Sequence, residues 1–274
     1  MIYYKILIIL IIIIVFYLVN NYLLFNNINI FENFIEFGTL NKDSKDKLNI
    51  DIIVARYNED LKWTLEYPFN KYKYIVYNKG DNENFEKTHV KTIIKLPNVG
   101  KCDHTYLHHI IENFDDLSDI VVFVPGSLDM KYKKRIASRL LKEIELRNSA
   151  VFISLNQSDI QKLHYNFTIN EYKTTHKLNK SMNSESELKK CSIRPFGKWF
   201  ESKFGNIKVN CLIYYGIFSI SKNDILQHPK SRYQNLIDDL LVSNPECGHF
   251  IERAWAVIFH PLNDTYVIKY NKIR

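Results

Sequence analysis

The chain has 274 residues, 46% hydrophobic and 24% charged, which excludes wholesale disorder and suits one large domain or two small ones. Eight glycines and seven prolines are too few for collagen-like or Pro-rich low-complexity architecture. Lys and Arg (37) exceed Asp and Glu (30), and the resulting net charge of +7 permits nucleic acid, phospholipid or nucleotide phosphate as a partner without choosing among them.

Between Ile6 and Val19 every residue is apolar or aromatic, and Leu23, Leu24 and Phe25 extend the run. About 20 apolar residues cross a bilayer core, so residues 1–25 are expected to form a transmembrane signal-anchor. A cleaved signal peptide would end in a small-residue site of the A-x-A type, and none occurs between Val19 and Phe37. Lys5 precedes the run while Glu32 and Glu36 follow it, which predicts type II topology with the rest of the chain lumenal or on the outer face. Residues 26–49, polar from Asn41 to Asn49, read as a stem, leaving 50–274 as a single α/β domain. Its four cysteines (Cys102, Cys191, Cys211, Cys247) allow three pairings in an oxidising lumen. Asn156, Asn166, Asn179 and Asn263 head N-glycosylation sequons.

Within the domain, Ile50–Ala55, Lys73–Tyr77 and Val90–Leu96 read as strands, each closed by polar or turn residues. Asp103–Phe114 predicts a helix with Tyr106, Leu107, Ile110, Ile111 and Phe114 on one face. Asp119–Val124 predicts a central strand, Lys131–Arg147 a basic amphipathic helix, and Ala150–Leu155 a further strand. Asn156–Lys190 reads as a long irregular insertion. Cys211–Ile220 predicts one strand, and Ser221 with Asp224 a helix start. A helical pattern runs through Tyr233, Leu236, Ile237, Leu240 and Leu241. Gly248 is expected to break the chain before a last helix that Glu252 opens. Strands alternating with helices imply a mostly parallel sheet covered on both faces, with ligands beyond its carboxyl ends after Ala55, Tyr77 and Val124.

Candidate chemistry gathers at those strand ends. Arg56, Asn58 and Asp60 (RYNED) offer a cation, an amide and carboxylates to a nucleotide, and Lys79 offers a cation to phosphate. Asp129 can ligate Mn²⁺ or Mg²⁺, although a D-x-D pair is absent. Glu252 is a candidate general base on an acceptor hydroxyl, and equally a candidate helix cap or partner of Arg253. His104, His108 and His109 lack a metal-binding motif and are read as polar residues flanking an apolar helix face. The basic helix alone suggests nucleic acid, but a membrane anchor argues against that partner.

Segments Val54–Trp63 (VARYNEDLKW), Tyr74–Gly80 (YIVYNKG), Leu96–Gly126, Gly216–Leu236 and His249–Phe259 together resemble the DUF3431 family of glycosyltransferase-like proteins. The resemblance implies a GT-A-like fold that binds a nucleotide-sugar. Its residues would then hold the nucleotide with Arg56, Asn58, Asp60 and Lys79, a divalent cation with Asp129, and the acceptor proton with Glu252. The family pattern carries Asp-His after the central strand where this chain has Asp129-Met130. The expectation is a membrane-anchored glycosyltransferase acting on an unidentified acceptor, with a non-catalytic nucleotide- or sugar-binding descendant as the rival.

Overall fold

A computed structural model of the protein describes residues 48–181 and 187–270. The expected anchor (1–25) and nearly all of the expected stem (26–49) lie outside the described residues, and among the described residues no helix is long and apolar enough to cross a membrane. In chain order the elements are β1 (Ile50–Arg56), 3-10 turns at Lys62–Leu65 and Phe69–Lys71, β2 (Tyr74–Asn78), β3 (Val90–Lys95), α1 (Lys101–Glu112), β4 (Ile120–Pro125), α2 (Lys131–Arg147) and β5 (Val151–Asn156). They continue with α3 (Ile160–Leu163), a 3-10 turn at Lys177–Asn179, α4 (Phe196–Phe204), β6 (Cys211–Leu212), β7 (Phe218–Ser221), α5 (Lys222–Leu226), α6 (Lys230–Ile237), a 3-10 turn at Asp238–Leu240, α7 (Glu246–Ile258) and β8 (Tyr266–Tyr270).

A five-stranded sheet has the order β3-β2-β1-β4-β7, with β1 to β4 parallel and β7 antiparallel to β4. The chain steps outward from β1 through β2 to β3, then returns to place β4 on the other side of β1. Strand order therefore reverses between β1 and β4, where Ala55 pairs with Pro125. Such a reversal opens a crevice beyond the carboxyl ends of the two strands. A smaller sheet has the order β6-β5-β8. One hydroxyl links the sheets: Ser219 Oγ accepts from Val151 N and donates to Val151 O, both at 2.7 Å.

Strand alternation divides the core. Ile53, Val121 and Phe123 face α1, α4, α6 and α7, packing with Tyr106, Trp199, Tyr233 and Trp255. Ile52, Val54, Val122 and Val124 face the opposite way, onto Leu140, Leu141 and Ile144 of α2 and onto Trp63, Phe69 and Tyr74. The mixed α/β class expected from the alternating pattern is present, with the sheet covered on both faces.

Several local expectations change. Cys211–Ile220 is not one strand, because Tyr215 (φ 70) and Gly216 (φ 62) adopt left-handed backbone and turn the chain between β6 and β7. Gly248 does not break a helix: α7 starts after Pro245 and runs through it, which moves Glu252 from the first turn to the second. α1 starts two residues earlier than expected, at Lys101. The predicted start at Ser221 stands, with its Oγ accepting from Asp224 N at 3.0 Å. Of the possible pairings, Cys191–Cys247 forms, with a Cα–Cα distance of 5.2 Å, and Cys102 and Cys211 remain thiols.

Candidate functional site

The crevice between β1 and β4 is a cleft with two lobes that share Lys101, Cys102, Ser127, Lys133 and Tyr172 in their walls. The inner lobe, about 150 Å³, is lined at the strand ends by Arg56, Tyr57, Glu59 and Lys79. The outer lobe, about 500 Å³, extends to Tyr132, Tyr214, Tyr215, His249 and Glu252. Residues 172–176 of the long insertion wall the outer lobe.

Cations dominate the seam between the lobes. Lys79, only 6% exposed, donates through Nζ to the backbone oxygens of Val99 (2.6 Å) and Lys101. Lys101 is the first residue of α1 and sits in left-handed backbone (φ 51); its Nζ lies 3.2 Å from the Tyr172 ring centroid. Lys133, in the first turn of α2, donates to Ser127 Oγ at 2.7 Å. Burial lowers all three ammonium groups, Lys79 and Lys101 to about 7. First-turn residues of α1 (Lys101, Cys102, Asp103) and of α2 (Tyr132, Lys133) line the cleft, and the helix amino ends they belong to add positive potential there. Lysines depressed by burial and set between two helix amino ends form an environment that an anion would relieve.

Carboxylates frame this seam. Glu59, 5% exposed, accepts from Tyr57 N and from Asn179 Nδ2, both at 2.7 Å. Gly126 admits it, since a Cβ there would meet the Glu59 carboxylate at 2.9 Å. Asp103 accepts from Trp255 Nε1 at 2.9 Å, and burial, with Glu252 nearby, pushes its carboxyl up to about 7. Glu252 Oε1 accepts from Tyr215 N at 2.8 Å, and its Oε2 lies 3.8 Å from Arg253 Nη1.

The raised Asp103 carboxyl has a measurable consequence. From its ordinary value of 3.8 up to about 7 the folded chain holds a proton that the unfolded chain releases. Stability contributed at this site is therefore lost as pH rises through that window. Asp103→Asn keeps an oxygen for Trp255 and removes the titration. The melting-temperature difference, variant minus wild type, should grow from about pH 4 to about pH 7 and then level off. A difference independent of pH would refute the buried-proton assignment.

The candidates named from sequence divide. Arg56 and Lys79 line the inner lobe. Arg56 is also a tether: it donates to Glu59 O (2.8 Å), Tyr57 O (3.0 Å), Asn78 Oδ1 (2.6 Å) and Asn82 O (2.7 Å), while its buried Nη2 has no partner. Asn58 and Asp60 are not among the residues lining either lobe. The Asn58 side chain packs beside Gly80, and Asp60 accepts from Lys62 N at 3.1 Å, a turn cap. Glu59, Lys101 and Lys133 were missed. Glu59 is one residue from a named candidate in a loop without periodicity, and the two lysines are marked only by their place at helix starts. Asn179 lies 7% exposed and hydrogen-bonded to Glu59, so its sequon has no room for a glycan in the folded chain, unlike exposed Asn156, Asn166 and Asn263.

Asp129 is half-exposed, lies outside both linings and pairs with His176 Nε2 at 2.8 Å. Its imidazole neighbour thus comes from the insertion and not from position 130. Among the described residues no group of three His, Cys, Asp or Glu side chains could hold a metal ion. Asp129 is a single carboxylate, and Mg²⁺ or Mn²⁺ held through one or two carboxylates completes its shell with water and substrate phosphate oxygens.

Residues 52–271 match the family described as "Protein of unknown function (DUF3431)". The chain belongs to the DUF3431 family. Comparison with curated proteins gives no match. In this DUF3431 chain the family match includes β1 from Ile52 onward, β4 and every residue named above as lining the cleft.

Proposed function

We propose that the cleft binds a nucleotide-sugar and transfers its glycosyl group to an acceptor hydroxyl. The supporting observation is the seam of Lys79, Lys101 and Lys133, set at a topological switch point between the inner lobe at the strand ends and the larger outer lobe that contains Glu252. A diphosphate lying on that seam would put the anomeric carbon toward Glu252. The acceptor oxygen attacks this carbon, its proton passes to Glu252, and the bond to the diphosphate oxygen breaks with its electron pair going to that oxygen. The three ammonium groups and the two helix amino ends stabilise the charge that develops there. The apolar run before residue 26 and the Cys191–Cys247 disulfide support a membrane-anchored protein with its domain in an oxidising compartment.

A second reading, a non-catalytic nucleotide- or sugar-binding descendant, is favoured by the ties on Glu252, whose two oxygens already face Tyr215 N and Arg253. Calorimetry on the full chain in detergent, titrated with UDP, GDP and ADP, tests the anion seam. Lys133→Gln should weaken diphosphate binding about 10- to 100-fold, the usual loss for a hydrogen bond to a charged group, and leave nucleoside binding unchanged. Affinity of the wild type should fall between about pH 7 and about pH 9, because Lys79 and Lys101 in the free protein lose protons above about 7 and bound phosphate favours their charged forms. Binding should accordingly take up protons, seen as a dependence of the heat on buffer ionisation enthalpy. Diphosphate binding indifferent to pH and to Lys133→Gln would remove the seam as the phosphate site. Titration with Mn²⁺ present and Asp129→Asn compared in parallel tests a cation at the rim. Release of free nucleotide from a nucleotide-sugar panel then separates enzyme from descendant.

A further inference from the structure

Four tyrosines (Tyr132, Tyr172, Tyr214, Tyr215) line the outer lobe together with Asp103, His249, Glu252 and Arg253. Two of them are exposed, Tyr132 at 38% and Tyr215 at 41%, and they meet edge to face at 4.9 Å. Tyr215 holds its ring there from left-handed backbone, φ 70, a conformation that glycine or asparagine adopts at lower cost. Its amide is fixed by Glu252 Oε1 at 2.8 Å, so ring and carboxylate are held in one arrangement. Apolar ring faces beside fixed carboxylate, imidazole and guanidinium groups match a ligand with an apolar face and a hydroxylated rim. A pyranose ring has that form, with C–H bonds on its faces and hydroxyls around its edge.

We infer that the outer lobe is a carbohydrate acceptor site in which Tyr215, supported by Tyr132, stacks a pyranoside whose hydroxyl reaches Glu252. This rests on the proposed transferase reading and adds to it the class of acceptor. A free peptide side chain carries a hydroxyl without the broad apolar face that two exposed tyrosine rings would cover.

The test uses the full chain in detergent with methyl α- and β-glycosides of glucose, galactose and mannose as probes. Saturation-transfer NMR reports glycoside contact, and calorimetry with UDP, GDP and ADP reports the seam independently. Tyr215→Gly removes the ring while easing the left-handed backbone, so the fold is kept; Tyr132→Ala is the second variant. At least one glycoside should show transfer to its ring C–H protons, weakened about tenfold by Tyr215→Gly and less by Tyr132→Ala, with diphosphate affinity within about twofold of wild type. No glycoside contact, or contact indifferent to Tyr215→Gly, overturns the inference. Binding of a serine-containing peptide in place of every glycoside overturns it likewise and assigns a protein acceptor. Failure of the parent reading has another signature: glycosides bind while no nucleoside diphosphate does.

Discussion

Replacing Glu252 by glutamine is expected to lower kcat about 100- to 10,000-fold while leaving the melting temperature nearly unchanged. The amide retains an oxygen for Tyr215 N, so the turn between β6 and β7 stays pinned and the outer lobe keeps its shape. What disappears is the capacity to take a proton from the acceptor. The purely structural reading of Glu252, a clamp on Tyr215 with a partly exposed neighbour in Arg253, predicts the opposite result, because Glu252→Gln preserves the clamp. An exposed or partly exposed ion pair contributes only about 0–1 kcal/mol, so losing it should scarcely register in thermal melting. Measured on a donor and acceptor that the wild type turns over, full activity in the variant would end the catalytic assignment. A rise in KM with kcat unchanged would instead make Glu252 a binding group.

The largest expected loss of stability comes from Glu246, at the opposite end of the same helix's first two turns. Its side chain is fully buried and accepts from Ile169 N (2.9 Å), Cys191 N (3.0 Å) and Arg194 Nη2 (2.8 Å). Two of these donors are backbone groups, Ile169 within the long insertion and Cys191 just after it, so one carboxylate fastens both to α7 beside the Cys191–Cys247 disulfide. Glu246→Ala leaves them without partners and should cost about 3–5 kcal/mol, most of it from the amides because Arg194 is partly exposed and keeps water. Urea unfolding reads the loss directly. Limited proteolysis should show faster cleavage within 165–195, since that stretch also carries Tyr172 and His176 in the cleft wall. A loss below about 1 kcal/mol would mean that the insertion is held elsewhere.

The legible parts of this fold are those where side-chain period reports burial. β1, β2 and β4 are short β-branched runs, buried because helices cover both faces, and α1 and α2 repeat apolar residues at helical spacing. α4 carries the same signal in Phe196, Trp199, Phe200 and Phe204, in the stretch between the expected insertion and the strand expected from Cys211, where no element is predicted. Cys211–Ile220 misled because apolar content says nothing about backbone sign, and Tyr215 with Gly216 reverses it. Gly248 misled for the converse reason: in the first turn of α7 it has room, with a Cβ meeting nothing closer than 3.7 Å, while Pro245 sets the true start. In the site, strand-end logic located the cleft and found Arg56 and Lys79. It could not choose Glu59 over Asp60, because adjacent loop residues differ only in which one the tertiary fold turns inward. Lys101 and Lys133 converge through the placement of β4 beside β1, a long-range fact with no local signature.

Between Cys191 and Cys247, separated by 56 positions, the chain forms a covalent ring that includes α4, β6, β7, α5 and α6. The exposed link at Gly205 and Asn206 lies inside this ring. A protease that cuts there opens the ring into a linear branch and releases nothing: both fragments stay bonded through sulfur, with β7 still paired to β4. Backbone continuity and molecular integrity are thus separate properties over this stretch, and the chain can be nicked without being divided.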